Sequence, residues 1–123
     1  MRRSTSLTFM PALRAATLHL PFTGKRHIVW AMIQSFKCKD TRQLFETGRC
    51  ARFANIADMA MRRLTQLDNA ATLDAMKSPP GNRFEPLKGD RLGQYSVRIN
   101  GQWRLCFTWS DEGPADVEIA DYH

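Results

Sequence analysis

Ser78-Pro79-Pro80-Gly81 divides the chain into two halves of different periodicity. Proline has no amide hydrogen and its ring clashes with the preceding turn, so two in succession end any helix. Before the break, Ile56, Met59, Ala60, Leu64 and Leu67 fall on one stripe at helical spacing, with Asp58 and Arg62 on the solvated side. Leu73 and Met76 extend that face through a final turn. An earlier helix starts at Asp40, which can cap it with Gln43 in capping-box position, and closes at Gly48. Arg42 and Glu46, four apart, can pair on its outer side, and Leu44 and Phe45 supply its buried side.

After the break the pattern is that of antiparallel strands. Asn82–Leu87, Gln94–Ile99, Gln102–Trp109 and Ala115–Tyr122 are separated by Lys88-Gly89-Asp90-Arg91, Asn100-Gly101 and Asp111-Glu112-Gly113-Pro114. Met32–Lys37 reads as a short first strand. The fold expected is α+β: two N-terminal helices packed on one face of a small, mainly antiparallel, twisted sheet.

The hairpin at Asn100-Gly101 has two possible registers. A two-residue loop would set Val97 opposite Arg104 and mix apolar and charged side chains on each face. A three-residue loop, Ile99-Asn100-Gly101 with Gly101 left-handed, separates them. Tyr95, Val97, Trp103, Leu105 and Phe107 then share the helix-covered face. Ser96, Arg98, Gln102 and Arg104 share the other, and Tyr122 has the parity to join them.

At 123 residues the chain is one domain. Its net charge of +6 is unevenly placed. Arg2, Arg3, Arg14, Lys25 and Arg26 lie in residues 1–31, which hold no acid; the remainder is nearly balanced. A case for nucleic-acid binding therefore rests on where charge sits within residues 32–123. Residues 1–31 fit no period, and Arg14 and His19 interrupt any signal-peptide core. They are read as a non-conforming extension, disordered or the product of an over-long start, with Met32 as initiator. No stretch is long and apolar enough for a membrane span. Cys38, Cys50 and Cys106 form no CxxC, which argues against a zinc site or a disulfide framework and fits a reducing cytosol.

The chemistry-bearing residues gather late in the chain. Lys88, Arg98, Arg104 and Tyr122 converge on one sheet face, and the chain ends Asp121-Tyr122-His123. Guanidinium groups match two phosphate oxygens at once, and lysine adds a mobile charge. No metal-ligand set is evident, so the chemistry expected is metal-free and uses no cofactor. Metal-free RNA cleavage needs a base for the 2′-hydroxyl proton, a cation for the phosphorane oxygens and an acid for the leaving 5′-oxygen. Against this stand plainer roles. A charged sheet face is often simply solvated, Tyr122 can be a rim residue, and Asp121 can orient a neighbour. Trp103 has core parity, and Cys106, beside the site, has no activating partner.

MIQSFKCKD, FEPLKGDRLGQYSVRINGQWRLCF and the terminal DYH resemble the HigB-type toxins of the RelE/ParE superfamily over Met32–His123. The resemblance implies a compact α+β toxin that cuts messenger RNA in the ribosomal decoding site, in the cytoplasm. It also implies a neighbouring helix-turn-helix antitoxin (HigA-like) as partner. Lys88, Arg104, Asp121, Tyr122 and His123 match the family's active-site positions. Arg98, Arg91, Glu85 and Arg83 are candidate substrate contacts. Glu85 stands where related sequences often have histidine, and could act as a base or repel phosphate. Two other outcomes stay open: a ParE-like gyrase inhibitor without nuclease activity, and an inactive relic.

Overall fold

A computed structural model describes residues 32–121. The expectations for residues 1–31, and for Tyr122 and His123, lie outside the described residues. Helix α1 (Lys39–Thr47) and helix α2 (Ala57–Asn69) are linked by a 3-10 segment, Ala51–Ile56. Two further 3-10 turns, Leu73–Lys77 and Pro80–Asn82, lead into the sheet. Its strands are β1 (Glu85–Pro86), β2 (Tyr95–Arg98), β3 (Trp103–Ser110) and β4 (Gly113–Asp121), antiparallel in the order β1-β2-β3-β4. The architecture is α+β.

Leu44 of α1 and Ala60, Leu64 and Leu67 of α2 are buried with Val97, Leu105, Phe107, Val117 and Ile119 of the sheet. Burying each large apolar side chain contributes about 1.5–3 kcal/mol. Gly48 ends α1 with φ +80°, and its amide donates to the Leu44 carbonyl at 2.7 Å. Only a residue without Cβ takes that conformation at little cost. Arg42 and Glu46 pair at 3.1 Å as their spacing predicts.

The start of α1 differs from the expectation. Cys38, not Asp40, occupies the N-cap, and no side chain caps the helix. Asp40 lies inside the first turn and pairs with Arg52 at 3.2 Å. Gln43 Nε2 donates forward to the Arg49 carbonyl at 3.1 Å. A carboxylate within the first turn still meets the positive end of the helix dipole, so a two-residue shift costs little.

Two strands are shorter than expected. Met32–Lys37 forms no regular strand and makes a single isolated parallel bridge, Phe36 to Val117. Asn82–Leu87 shrinks to Glu85–Pro86 because Asn82 is buried in a turn. Its Nδ2 lies 3.0 Å from Gln66 Oε1, 3.0 Å from the Met76 carbonyl and 3.3 Å from the Ser78 carbonyl. Arg83 then turns left-handed (φ +45°), which breaks any strand before Phe84.

The hairpin has a three-residue loop, but it is Asn100-Gly101-Gln102. Val97 faces Leu105 and Arg98 faces Arg104, with Ile99 N donating to the Trp103 carbonyl at 2.9 Å. The register is displaced by two residues from the expected one, and Gly101 is not left-handed. The Asn100 side chain closes the turn instead, Oδ1 accepting from the amides of Gln102 and Trp103, each at 2.8 Å. A two-residue displacement preserves parity, so the partition of faces stands.

Candidate active site

Two rows of side chains cross the sheet on the face away from the helices. Glu85, Ser96, Cys106 and Glu118 are successive cross-strand partners from β1 to β4. Arg98, Arg104 and Ala120 form the next row toward the hairpin. The expected convergence of Arg98 and Arg104 on one face is present.

Arg104 is not exposed, which corrects the expectation of an open position. Only 7% of it is accessible. Its Nε donates to Ser96 Oγ at 2.8 Å, and one terminal nitrogen contacts the Arg83 carbonyl at 2.5 Å and the Ser96 carbonyl at 3.5 Å. The guanidinium lies outside the apolar core, in a polar niche under the backbone of residue 83. The left-handed turn at Arg83 aims that carbonyl at Arg104. Non-glycine residues adopt this conformation rarely, and it costs of order 1–3 kcal/mol. The Arg83 side chain, a candidate substrate contact, is exposed, and its carbonyl accepts from Arg104.

Arg98 is half-buried and turns toward the hairpin. A Cβ built on Gly101 would lie 3.8 Å from its Nη2. From the helix side, Arg63 Nε donates to the Arg98 carbonyl at 2.9 Å. Burial, then the nearby Arg62 and Arg98 charges, lower the proton affinity of Arg63. Lys88 is exposed and precedes the 3-10 turn Gly89–Arg91. Arg91 Nη1 donates to Gln94 Oε1 at 2.9 Å and to Glu118 Oε1 at 3.3 Å, so this guanidinium is engaged within the protein.

Glu85 is half-buried opposite Ser96. Asp121 is exposed and accepts from Gln102 Nε2 at 3.0 Å. Cys106, at the centre of the first row, is buried. Burial pushes its thiol above the ordinary range, against the opposing pull of Arg91. A protonated, inaccessible thiol is a packing group, not a nucleophile. Trp103 packs edge-on against Phe53, with centroids 5.4 Å apart, as its core parity implies.

Sequence reasoning placed Ser96 on this face but gave it no role, and it missed Glu118. Ser96 could have been found by pairing Arg104 with a hydroxyl in the neighbouring strand. Glu118 shares parity with Tyr122, which was a usable signal. No helix among the described residues is long and apolar enough to cross a membrane.

The fold and its arginine-bearing face define a small α+β protein with a cationic sheet surface, and comparison with known proteins gives its family. Residues 34–123 match the family described as the RelE-like toxin of the type II toxin-antitoxin system HigB, and the chain belongs to that family. It is 39% identical over 82 residues to Toxin HigB-1 of Vibrio cholerae, covering 65% of this chain and 86% of that one. It is 32% identical over 93 residues to Endoribonuclease HigB of Proteus vulgaris, covering 75% and 100%. A solved mutant of YafQ from E. coli shares the fold, with TM-score 0.51 and 14% identity over 72% of this chain and 90% of that one.

Proposed function

We propose that this chain is a messenger-RNA-cleaving toxin that acts on the ribosome without a metal or cofactor. The observation that carries the reading is Arg98 directly opposite Arg104. This pairing sets two guanidinium-bearing positions side by side on one sheet face, and guanidinium groups match the oxygens of a phosphate. The relative named an endoribonuclease, aligned along its whole length, supports RNA as that anion.

In this mechanism Arg104 is a fixed charge in the floor of the site, and Lys88 reaches the scissile phosphate from the turn above. Arg98 holds the adjoining backbone. Tyr122, with His123 or Glu85, removes the 2′-hydroxyl proton and returns one to the departing 5′-oxygen; Asp121 orients them. The 2′-oxygen forms its bond to phosphorus as the 5′-oxygen bond breaks. Lys88 and Arg104 stabilise the negative charge that develops. Arg91 and Arg83 serve the site through its framework: Arg91 by its ion pair, Arg83 by its carbonyl. The partner is a cognate helix-turn-helix antitoxin, and the place of action is the cytoplasm.

The test is induction in growing cells, with transcripts mapped and Arg104→Ala as control. Arrest with cleaved transcripts in the wild type, lost in the variant, supports the reading. Arrest with intact transcripts, and gyrase supercoiling blocked by the purified protein, would establish the non-nucleolytic alternative. No arrest from either protein would mark an inactive relic.

A further inference from the structure

We propose that Glu118 is a positioning residue for Lys88, acting through Arg91. The inference rests on the reading that Lys88 meets the scissile phosphate. The Lys88 side chain makes no hydrogen bond or ion pair among the described residues, so its placement depends on its turn. That turn is built on two glycines. Gly89 and Gly93 both have positive φ (+61° and +95°), and Leu92 between them is 79% exposed. Glycines at such positions fit the shape but leave the chain much freedom to lose on ordering.

The turn is tied at its far end. The Arg91 amide donates to the Lys88 carbonyl at 3.1 Å, fixing the two residues relative to each other. The Arg91 side chain then reaches across the sheet face to Glu118 Oε1 at 3.3 Å. Gln94 Oε1 shares the same nitrogen at 2.9 Å. Glu118 itself is held from the other side by Lys37, 3.8 Å away. Lys37 is anchored in turn, its amide donating to the Val117 carbonyl at 2.9 Å. Glu118 is only 21% exposed in these pairs, so solvent screens it less than a rim carboxylate.

The charge arithmetic favours this role. A bare carboxylate on a face that grips phosphate would repel the substrate. Flanked by Arg91 and Lys37, Glu118 instead converts two cations into a brace, and leaves Lys88 as the cation free to move onto the phosphate. A displacement of the lysine by about 1 Å is enough to cost up to 10²-fold in rate.

The experiment is single-turnover cleavage of messenger on ribosomes with five proteins: wild type, Lys88→Ala, Glu118→Ala, the double variant of these two, and Arg91→Ala. Lys88→Ala is expected to lower the maximal rate about 10²-fold. Glu118→Ala is expected to lower it about 10-fold to 10²-fold, with little change in the half-saturating toxin concentration. The double variant is expected to be no slower than Lys88→Ala, because a residue that acts through the lysine has no effect once the lysine is gone. Arg91→Ala cuts the same tie from the other end and must show the same pattern, which guards against a folding defect in Glu118→Ala. A wild-type rate in Glu118→Ala, or the same fold-loss with and without Lys88, overturns the inference. A wild-type rate in Lys88→Ala removes the lysine from the mechanism and the inference with it.

Discussion

Arg98 and Arg104 face each other across the β2–β3 ladder, but their environments differ. Arg104 is buried against Ser96 and the Arg83 carbonyl, whereas Arg98 is half-buried and lies toward the hairpin. Arg104→Ala is expected to reduce cleavage about 10²–10³-fold. It should also destabilise the protein, because the Ser96 hydroxyl and Arg83 carbonyl lose their donor, at about 1–3 kcal/mol for each buried group left without one. Arg104→Lys should recover little activity, since an ammonium cannot span the two acceptors in a guanidinium's plane. Urea denaturation and a cleavage assay check both. Full activity in Arg104→Lys would contradict the account.

Asn82 links that niche to helix α2. Its side-chain amide is shared among Gln66, Met76 and Ser78, and it immediately precedes Arg83. Asn82→Ala should cost about 1–3 kcal/mol for the acceptors left bare. It should also slow cleavage by loosening the carbonyl above Arg104. Thermal unfolding beside single-turnover rates tests this; an unchanged melting temperature would count against it.

The cysteines should separate by pH. Partial burial opposes ionisation of Cys38, but hydrogen bonds from Thr41 and the Asp40 amide, with the Arg52 charge, outweigh it and lower its pKa. Burial raises that of Cys106. Iodoacetamide near neutral pH should therefore alkylate Cys38 well before Cys106, as read by mass spectrometry. The linkage signs are opposite. The Cys38 contribution is present above the unfolded thiol pKa of about 8.5 and is lost as pH falls through its lowered folded value. The Cys106 contribution is present below about pH 8.5 and is lost as pH rises through its raised folded value. Cys106→Ala should flatten part of the alkaline loss of stability.

A protein beginning at Met32 should arrest growth as the full chain does, because every group assigned to the site follows that residue. Equal induction of both forms, compared by plating efficiency, checks this. Loss of arrest on removing residues 1–31 would give that segment a role.

The elements legible in the sequence were those set by local chemistry. The Ile56–Leu67 stripe, the Gly48 stop and the Arg42–Glu46 pair needed only helical spacing and one residue's conformational freedom. The faces of the hairpin were legible because parity survives a two-residue displacement. Its register was not, because Asn100 closes the turn with its side chain, a device that competes with a left-handed glycine and leaves no separate mark in the pattern. The strand expected from Asn82 failed for a non-local reason, since α2 and the turn after it supply the acceptors that pull Asn82 inside. Arg104's burial was hidden in the same way, because a backbone carbonyl 21 positions earlier covers it. The residues that gather at the site were readable, but the depth of each depends on segments distant in sequence.

The Arg63–Arg98 contact covers part of an open sheet edge. Strand β1 pairs only with Tyr95 and Ser96, so beyond them the rim of β2 offers backbone groups to any passing strand. Arg63 occupies that rim with a charged, planar head. A second molecule attempting to add its own strand there would have to evict it and accept a cluster of positive charge.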